Sequence, residues 1–341
     1  MKKITIGLFV SAVICMSANI AQASNLLWGT THNEVFTVDT TNGNVDIHAS
    51  YDQNFWASKG WDLGGRIDGI AQAHNEELYI LGLANRSVKG NLQEALDTGL
   101  GTANFIAQVN SHGDMVTFAD YRPGEFTADK HLGRGVGLEV SANNFLYTTE
   151  YESAGVFEIG LDESGNFQEY ASVGGIPAAG DGGMHSNVAI DPTTGEYYAI
   201  GAALDVEPGP DVNPDEPHLL KQDAESTDLD TYNWSTVSNV FSWSLWGNSN
   251  IAFAQDGSLW AVNTRCEGDG TCFNLYGIDK LTGEATIIWD LSSELNGGGI
   301  RDLGTYRGPP SEFTPVPMPS TSILFGIGLA GLAAIGRRRR K

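Results

Sequence analysis

Three acids, Asp68, Glu139 and Asp302, are placed for chemistry, each within or next to a short run rich in small and apolar residues: Asp68-Gly69-Ile70-Ala71, Gly135-Val136-Gly137-Leu138 and Gly298-Gly299-Ile300-Arg301-Asp302-Leu303-Gly304. Hydrolysis or elimination at a glycosidic bond needs such carboxyl groups as proton donor and as base or nucleophile, set about 5–10 Å apart. The three stand at different offsets in their runs, which works against convergence on one substrate atom. Pairing of Arg301 with Asp68 is the expected structural use of that charge. Arg66, Arg134, His185, Trp246 and Arg301, with Asn187, Asn248 and Asn250, enter equivalent runs and form a second set, suited to ligand binding. Trp56, Trp61, Trp234, Trp243 and Trp246 fall in expected loops or strand edges, where a flat ring can stack on a sugar. The seven histidines are scattered singly, and the chain has no His-x-His, His-Glu-x-x-His or Gly-x-Ser-x-Gly motif.

Metal chemistry has one candidate segment. Residues 205–230 carry nine acids, among them Asp205, Asp211 and Asp215, together with four prolines, and read as an exposed loop that external Ca²⁺ can order. No EF-hand spacing occurs there. Cys266 and Cys272 flank the flexible stretch Glu267-Gly268-Asp269-Gly270-Thr271 and are expected to form a local disulfide in an oxidising compartment.

The elements that position these residues repeat. Units of 33 to 60 residues open on a short apolar strand: Asp68-Gly69-Ile70-Ala71, Gly135-Val136-Gly137-Leu138, Ser186-Asn187-Val188-Ala189, Ser249-Asn250-Ile251-Ala252. A turn follows, then an apolar–aromatic step: Leu78-Tyr79, Leu146-Tyr147, Tyr197-Tyr198, Leu259-Trp260. A third strand runs into an Asp/Gly turn, clearest in Ile278-Asp279-Lys280-Leu281-Thr282-Gly283 and Val38-Asp39-Thr40-Thr41-Asn42-Gly43, and a fourth strand comes after it. Four strands per unit with period-2 patterning predict an all-β fold, the β-propeller. Residues 25–48 supply strands two to four of a unit, and Gly298–Gly304 supply a first strand with nothing after it. Joining them completes a fifth blade and closes the ring. The long inserts at 84–103 and 203–217 leave six or seven blades open, with a β-sandwich as the structural alternative.

The ends of the chain differ from its middle. Lys2 and Lys3, the apolar run Ile4–Met16 and Ala21-Gln22-Ala23 read as a cleavable export signal over residues 1–23, with Ser24 beginning the mature chain. The domain then spans 24–307, a proline-rich linker 308–321, an uncharged apolar segment 322–336 and a basic tail 337–341. Five terminal cations after an apolar run fit a membrane-spanning helix with the domain outside and the tail inside. Two of the 19 cations lie in the leader and five in the tail, so 12 face 42 acids between them, a balance of about −30. Such a domain repels nucleic acid and anionic lipid.

Val316-Pro317-Met318-Pro319, the apolar run Ile323–Ile335 and the cluster opening with Arg337 and Arg338 together resemble the PEP-CTERM sorting signal, with Met318 where that family has Glu. The resemblance covers about the last 30 residues. It implies an exosortase-type processing enzyme as partner, an inner-membrane intermediate, and delivery to the surface or exopolysaccharide matrix of a Gram-negative bacterium. The reading that joins these parts is an exported, noncatalytic propeller that binds polysaccharide or a surface protein. The competing reading is an extracellular glycan hydrolase or lyase built on Asp68, Glu139 and Asp302.

Overall fold

Tight turns punctuate the described chain, and their chemistry sets the strand ends. In Asp39–Gly43, Asp191–Gly195 and Asp279–Gly283 the glycine N–H donates to the aspartate carbonyl at 2.8, 2.7 and 2.7 Å. The aspartate side chain accepts from the N–H two residues on, at 2.9, 2.8 and 2.8 Å. Each glycine has φ between 71° and 77°, a backbone region that costs other residues energy.

The computed structural model describes residues 25–59, 61–85, 102–121, 135–141, 145–150, 155–161, 167–177, 187–202, 217–222, 234–237, 249–264, 273–296 and 298–310. In chain order, β1 (Leu26–Thr31), β2 (Glu34–Asp39) and β3 (Val45–Ser50) precede a short helix, α1 (Gln53–Ser58). Then come β4 (Gly65–Gln72), β5 (Leu78–Asn85), β6 (Thr102–Val109) and β7 (Met115–Tyr121), followed by β8 (Gly135–Val140), β9 (Leu146–Glu150), β10 (Gly155–Leu161) and β11 (Phe167–Gly175). Next are β12 (Ala189–Ile190), β13 (Tyr197–Ala202), β14 (Pro217–Gln222) and β15 (Ser235–Thr236). The series ends with β16 (Ser249–Phe253), β17 (Leu259–Asn263), β18 (Asn274–Ile278), β19 (Ala285–Asp290) and β20 (Ile300–Thr305).

These strands form five antiparallel sheets of four, the blades of a β-propeller. Four sheets are consecutive in sequence, and the fifth has the order β20-β1-β2-β3. The last strand is therefore the inner strand of the first blade, paired from Leu27↔Thr305 to Thr30↔Asp302. The ring closes as the split repeat requires, with five blades rather than six or seven. Residues 322–336 lie outside the described residues, and among the described residues no helix is long and apolar enough to cross a membrane.

The apolar core is divided into five clusters, one at each contact between neighbouring blades. Trp28 and Val35 meet Ile70, Ile80 and Phe105 between blades one and two. Tyr79, Leu81 and Ile106 meet Leu138, Leu146 and Ile159 between two and three. Val156 and Ile176 meet Ala199, Leu220 and Trp234 between three and four. Tyr198 and Leu219 meet Phe253 and Tyr276 between four and five. Leu27, Phe36 and Val38 meet Val262 and Leu275 between five and one, with Ile300 and Leu303 of the closing strand. The expectation of sugar-stacking rings at Trp56, Trp61 and Trp234 is corrected here: they are 1%, 4% and 2% exposed. Trp56 sits on α1, which Asp52 caps by accepting from the Phe55 N–H at 2.8 Å, and packs on Phe105 at a centroid distance of 5.4 Å. Trp243 and Trp246 lie outside the described residues.

Inner strands approach closely through glycine. Gly137 has φ +70°, and a Cβ placed there would lie 2.3 Å from the Asn187 Cβ of the next blade. Gly137→Ala combines an unfavourable backbone conformation with overpacking and is expected to cost ~2–5 kcal/mol. Urea denaturation of the two proteins checks it; an unchanged midpoint would refute this account of the blade contact.

Candidate functional site

The inner strand of a blade is a sheet edge, so its backbone donors must be satisfied from elsewhere. Asp302, on β20 and fully buried, does this for two other blades. Its Oδ2 accepts from the Ile70 N–H of β4 at 2.8 Å and from the Leu138 N–H of β8 at 3.0 Å. Its Oδ1 accepts from Asn187 Nδ2 at 3.4 Å. Asn187 also donates to the Ile251 carbonyl at 2.9 Å and accepts from the Ile251 N–H at 2.7 Å, which reaches the fifth blade. Asn250 completes the circuit: its Oδ1 accepts from the Asn187 N–H at 3.2 Å, and its Nδ2 donates to the Arg301 carbonyl at 2.7 Å. Burial pushes the Asp302 carboxyl well above the usual carboxylate range, against the pull of the Ile70, Leu138 and Leu303 N–H groups.

Ionisable groups flank this level on both sides along the inner strands. Upstream, Asp68 is held by Arg66, Nε to Oδ2 at 2.8 Å, and by Arg301, Nε to Oδ1 at 3.7 Å, so the expected Arg301–Asp68 pairing is present. Arg301 also donates through Nη1 to the Thr264 carbonyl at 2.6 Å. Downstream, Glu139 is 3% exposed; its Oε1 accepts from the Val140 N–H at 2.9 Å, and its Oε2 has no hydrogen bond among the described residues. Burial raises the Glu139 pKa from 4.5 to about 7, partly offset by the Val140 N–H and the Arg307 guanidinium. Asp68 and Glu139 share a local cause. The pairing register shifts between Ile67 and Gly69 on β4 and between Val136 and Glu139 on β8, and such bulges re-aim the side chains they carry.

A second knot lies beyond β20. Gln72, 2% exposed, accepts from Trp28 Nε1 at 2.8 Å and from the Arg307 N–H at 2.7 Å, and donates to the Glu76 and Gly308 carbonyls at 3.0 and 2.9 Å. Arg307 Nε returns a bond to the Gln72 carbonyl at 3.0 Å. This fastens the segment after the closing strand to blade two. His74 contacts the Ser141 carbonyl through Nε2 at 3.0 Å, and burial, aided by Arg307, lowers its pKa.

Of the residues proposed from sequence, the structure gathers Arg66, Asp68, Glu139, Asn187, Asn250, Arg301 and Asp302 around the inner strands. Arg134, His185, Trp246, Asn248, the pair Cys266 and Cys272, the acids Asp205, Asp211 and Asp215, and the whole Val316–Pro319 and Arg337–Lys341 tail lie outside the described residues. Among the described residues no group of three or more His, Cys, Asp or Glu could hold a metal ion. Gln72 and Arg307 escaped the sequence reading, because a glutamine at a strand end and an arginine in a coil carry no local pattern.

No family model matches the chain, and no curated protein matches it in sequence. Solved structures do resemble it. A Bacteroides caccae protein of unknown function is 11% identical over 82% of this chain and 97% of its own, with a TM-score of 0.39. Virginiamycin B lyase from Staphylococcus aureus is 10% identical over 77% of this chain and 66% of its own, at 0.36. A gluconolactonase from Xanthomonas campestris is 12% identical over 76% and 69%, at 0.37. At such identities and scores the likeness carries nothing about activity.

Two outcomes follow from the site. Asp302→Ala strips the acceptor from two buried backbone N–H groups and is expected to cost ~2–6 kcal/mol in chemical denaturation, from the usual penalty per orphaned group. For Glu139, the folded state holds a proton that the unfolded chain releases, so stability from this group declines as pH rises from 4.5 through about 7. Glu139→Gln is expected to stabilise by ~3 kcal/mol near pH 8 and by almost nothing near pH 4, at about 1.4 kcal/mol per pKa unit. Melting curves of both proteins across that range check the sign, with the Arg307 guanidinium and the titratable Asp302 carboxyl as the neighbours that share the site.

Proposed function

We propose that the chain is a noncatalytic propeller that binds polysaccharide at the surface or in the extracellular matrix of a Gram-negative bacterium. One observation supports binding over bond cleavage: two of the three candidate acids are engaged in holding the ring. Asp302 accepts hydrogen bonds from two other blades and from Asn187, and Asp68 is held by two arginines. A hydrolase needs one carboxyl free to hold a proton and a second free to attack or to activate water. Export by the leader over 1–23, a membrane stage through 322–336 and sorting through Val316-Pro317-Met318-Pro319 by an exosortase-type enzyme belong to the same proposal, on the strength of the tail's resemblance to PEP-CTERM signals.

The enzyme reading keeps one supporting observation, the Glu139 carboxyl raised to about 7 with Oε2 unbonded among the described residues, which are properties of a general acid. A glycan array probed with the purified protein, with and without Ca²⁺, separates the two readings when retention and product release are both recorded. The expected result is retention of intact glycan. Release of shortened or unsaturated products, abolished in Glu139→Gln, would establish the enzyme instead.

A further inference from the structure

Blades one and five meet at their outer rims in a groove of about 320 Å³, at the small end of the range for ligand sites. Its aromatic wall is Trp289, at the end of β19. The indole is fixed in place: Nε1 donates to the Thr40 carbonyl across the blade contact at 2.9 Å. Gly43 lies against the ring so closely that a Cβ there would fall 2.8 Å from Trp289 Cδ2. A register shift at Leu275/Tyr276 leaves Ile288 as the extra residue of the outer strand, the kind of bulge that re-aims neighbouring side chains. Val45 and Leu291 add apolar surface, Asn42, Asn44, Asp290, Ser293 and Glu294 make the rest of the wall polar, and among the described residues no cation lines it. Asp290 accepts from the Ser292 N–H at 2.9 Å, which holds its carboxylate in place and its pKa low.

A rigid, half-buried indole beside carboxylates and amides suits one kind of guest. A sugar has an apolar C–H face that stacks on an aromatic ring and hydroxyls that donate to carboxylate and amide oxygens. Asp290 and Glu294, with no cation beside them among the described residues, repel uronic acids, sulfated glycans and phosphate. We propose that the Trp289 groove is a subsite for a neutral sugar residue of the bound polysaccharide. The proposal rests on the polysaccharide reading above and gives that function its place on the surface and its ligand class.

The test uses the full chain and neutral oligosaccharides of gluco, galacto and manno configuration, with a uronic-acid oligosaccharide as the charged comparison, followed by calorimetry and tryptophan fluorescence. Ser293→Trp and Asn44→Trp fill the groove from exposed positions without entering the core, and Trp289→Leu removes the ring. Each is expected to weaken neutral-sugar binding by about tenfold or more, equivalent to roughly 1.4 kcal/mol, while the two filling variants keep the wild-type melting temperature. Wild-type affinity in both filling variants would overturn the groove while leaving polysaccharide binding elsewhere intact. Tighter binding of the uronic-acid probe would overturn the ligand class. Absence of binding to every oligosaccharide by the wild-type chain would remove the polysaccharide reading and the groove together.

Discussion

The structure depends on a single buried carboxylate. Five sheets standing around one axis present five inner edge strands with buried residues, and unpaired N–H groups there would each be costly. Asp302 and Asn187 supply the missing acceptors, so that every blade is bonded to another through the centre. This arrangement explains why burying an acid at full depth is tolerated. The desolvation penalty is set against backbone donors that have no alternative partner, and removal of the acid leaves those donors stranded.

Around that centre the apolar energy is distributed rather than concentrated. Each of the five clusters belongs to two blades, so no blade buries its faces without both neighbours. This is the logic of a closed repeat array, in which the interface carries what the unit cannot. The outer strands face the opposite problem, since among the described residues their far edges have no partner. Register shifts break four of the five outer pairings, at Val35/Phe36, Gln108/Val109, Val156/Phe157 and Leu275/Tyr276. Such bulges twist an edge away from flat pairing and protect against edge-to-edge association.

The fold was legible because its signals are local. Asp39–Gly43 and Asp279–Gly283 announce turns within five residues, and the absent first strand of residues 25–48 finds its counterpart in Ile300–Asp302 by simple comparison. The central knot was legible in its members and not in their roles. Asp302, Asn187 and Asn250 stand out as polar residues in apolar strands, yet their partners lie 232, 164 and 115 residues from Asp302, or 64 apart for Asn187 and Ile251. The tryptophans misled for a related reason: Trp56 and Trp61 sit in a connection whose polar neighbours suggest exposure, and they are buried in a cluster that also draws members from β1, β2, β4, β5, β6 and β7. Trp289 gave no hint at all, because its setting is made by a turn at the opposite end of the chain, Thr40–Gly43.

The swapped closing strand sets the order in which the molecule can be made. Blade one has a place for its innermost strand from the start, but the residues that fill it are synthesised after all four other blades. Until Ile300–Thr305 arrive, β1 is an open edge and the carboxylate that ties the inner strands together is missing. The ring therefore stays unfinished while the other four blades are made, and it locks only when this last strand pairs with β1.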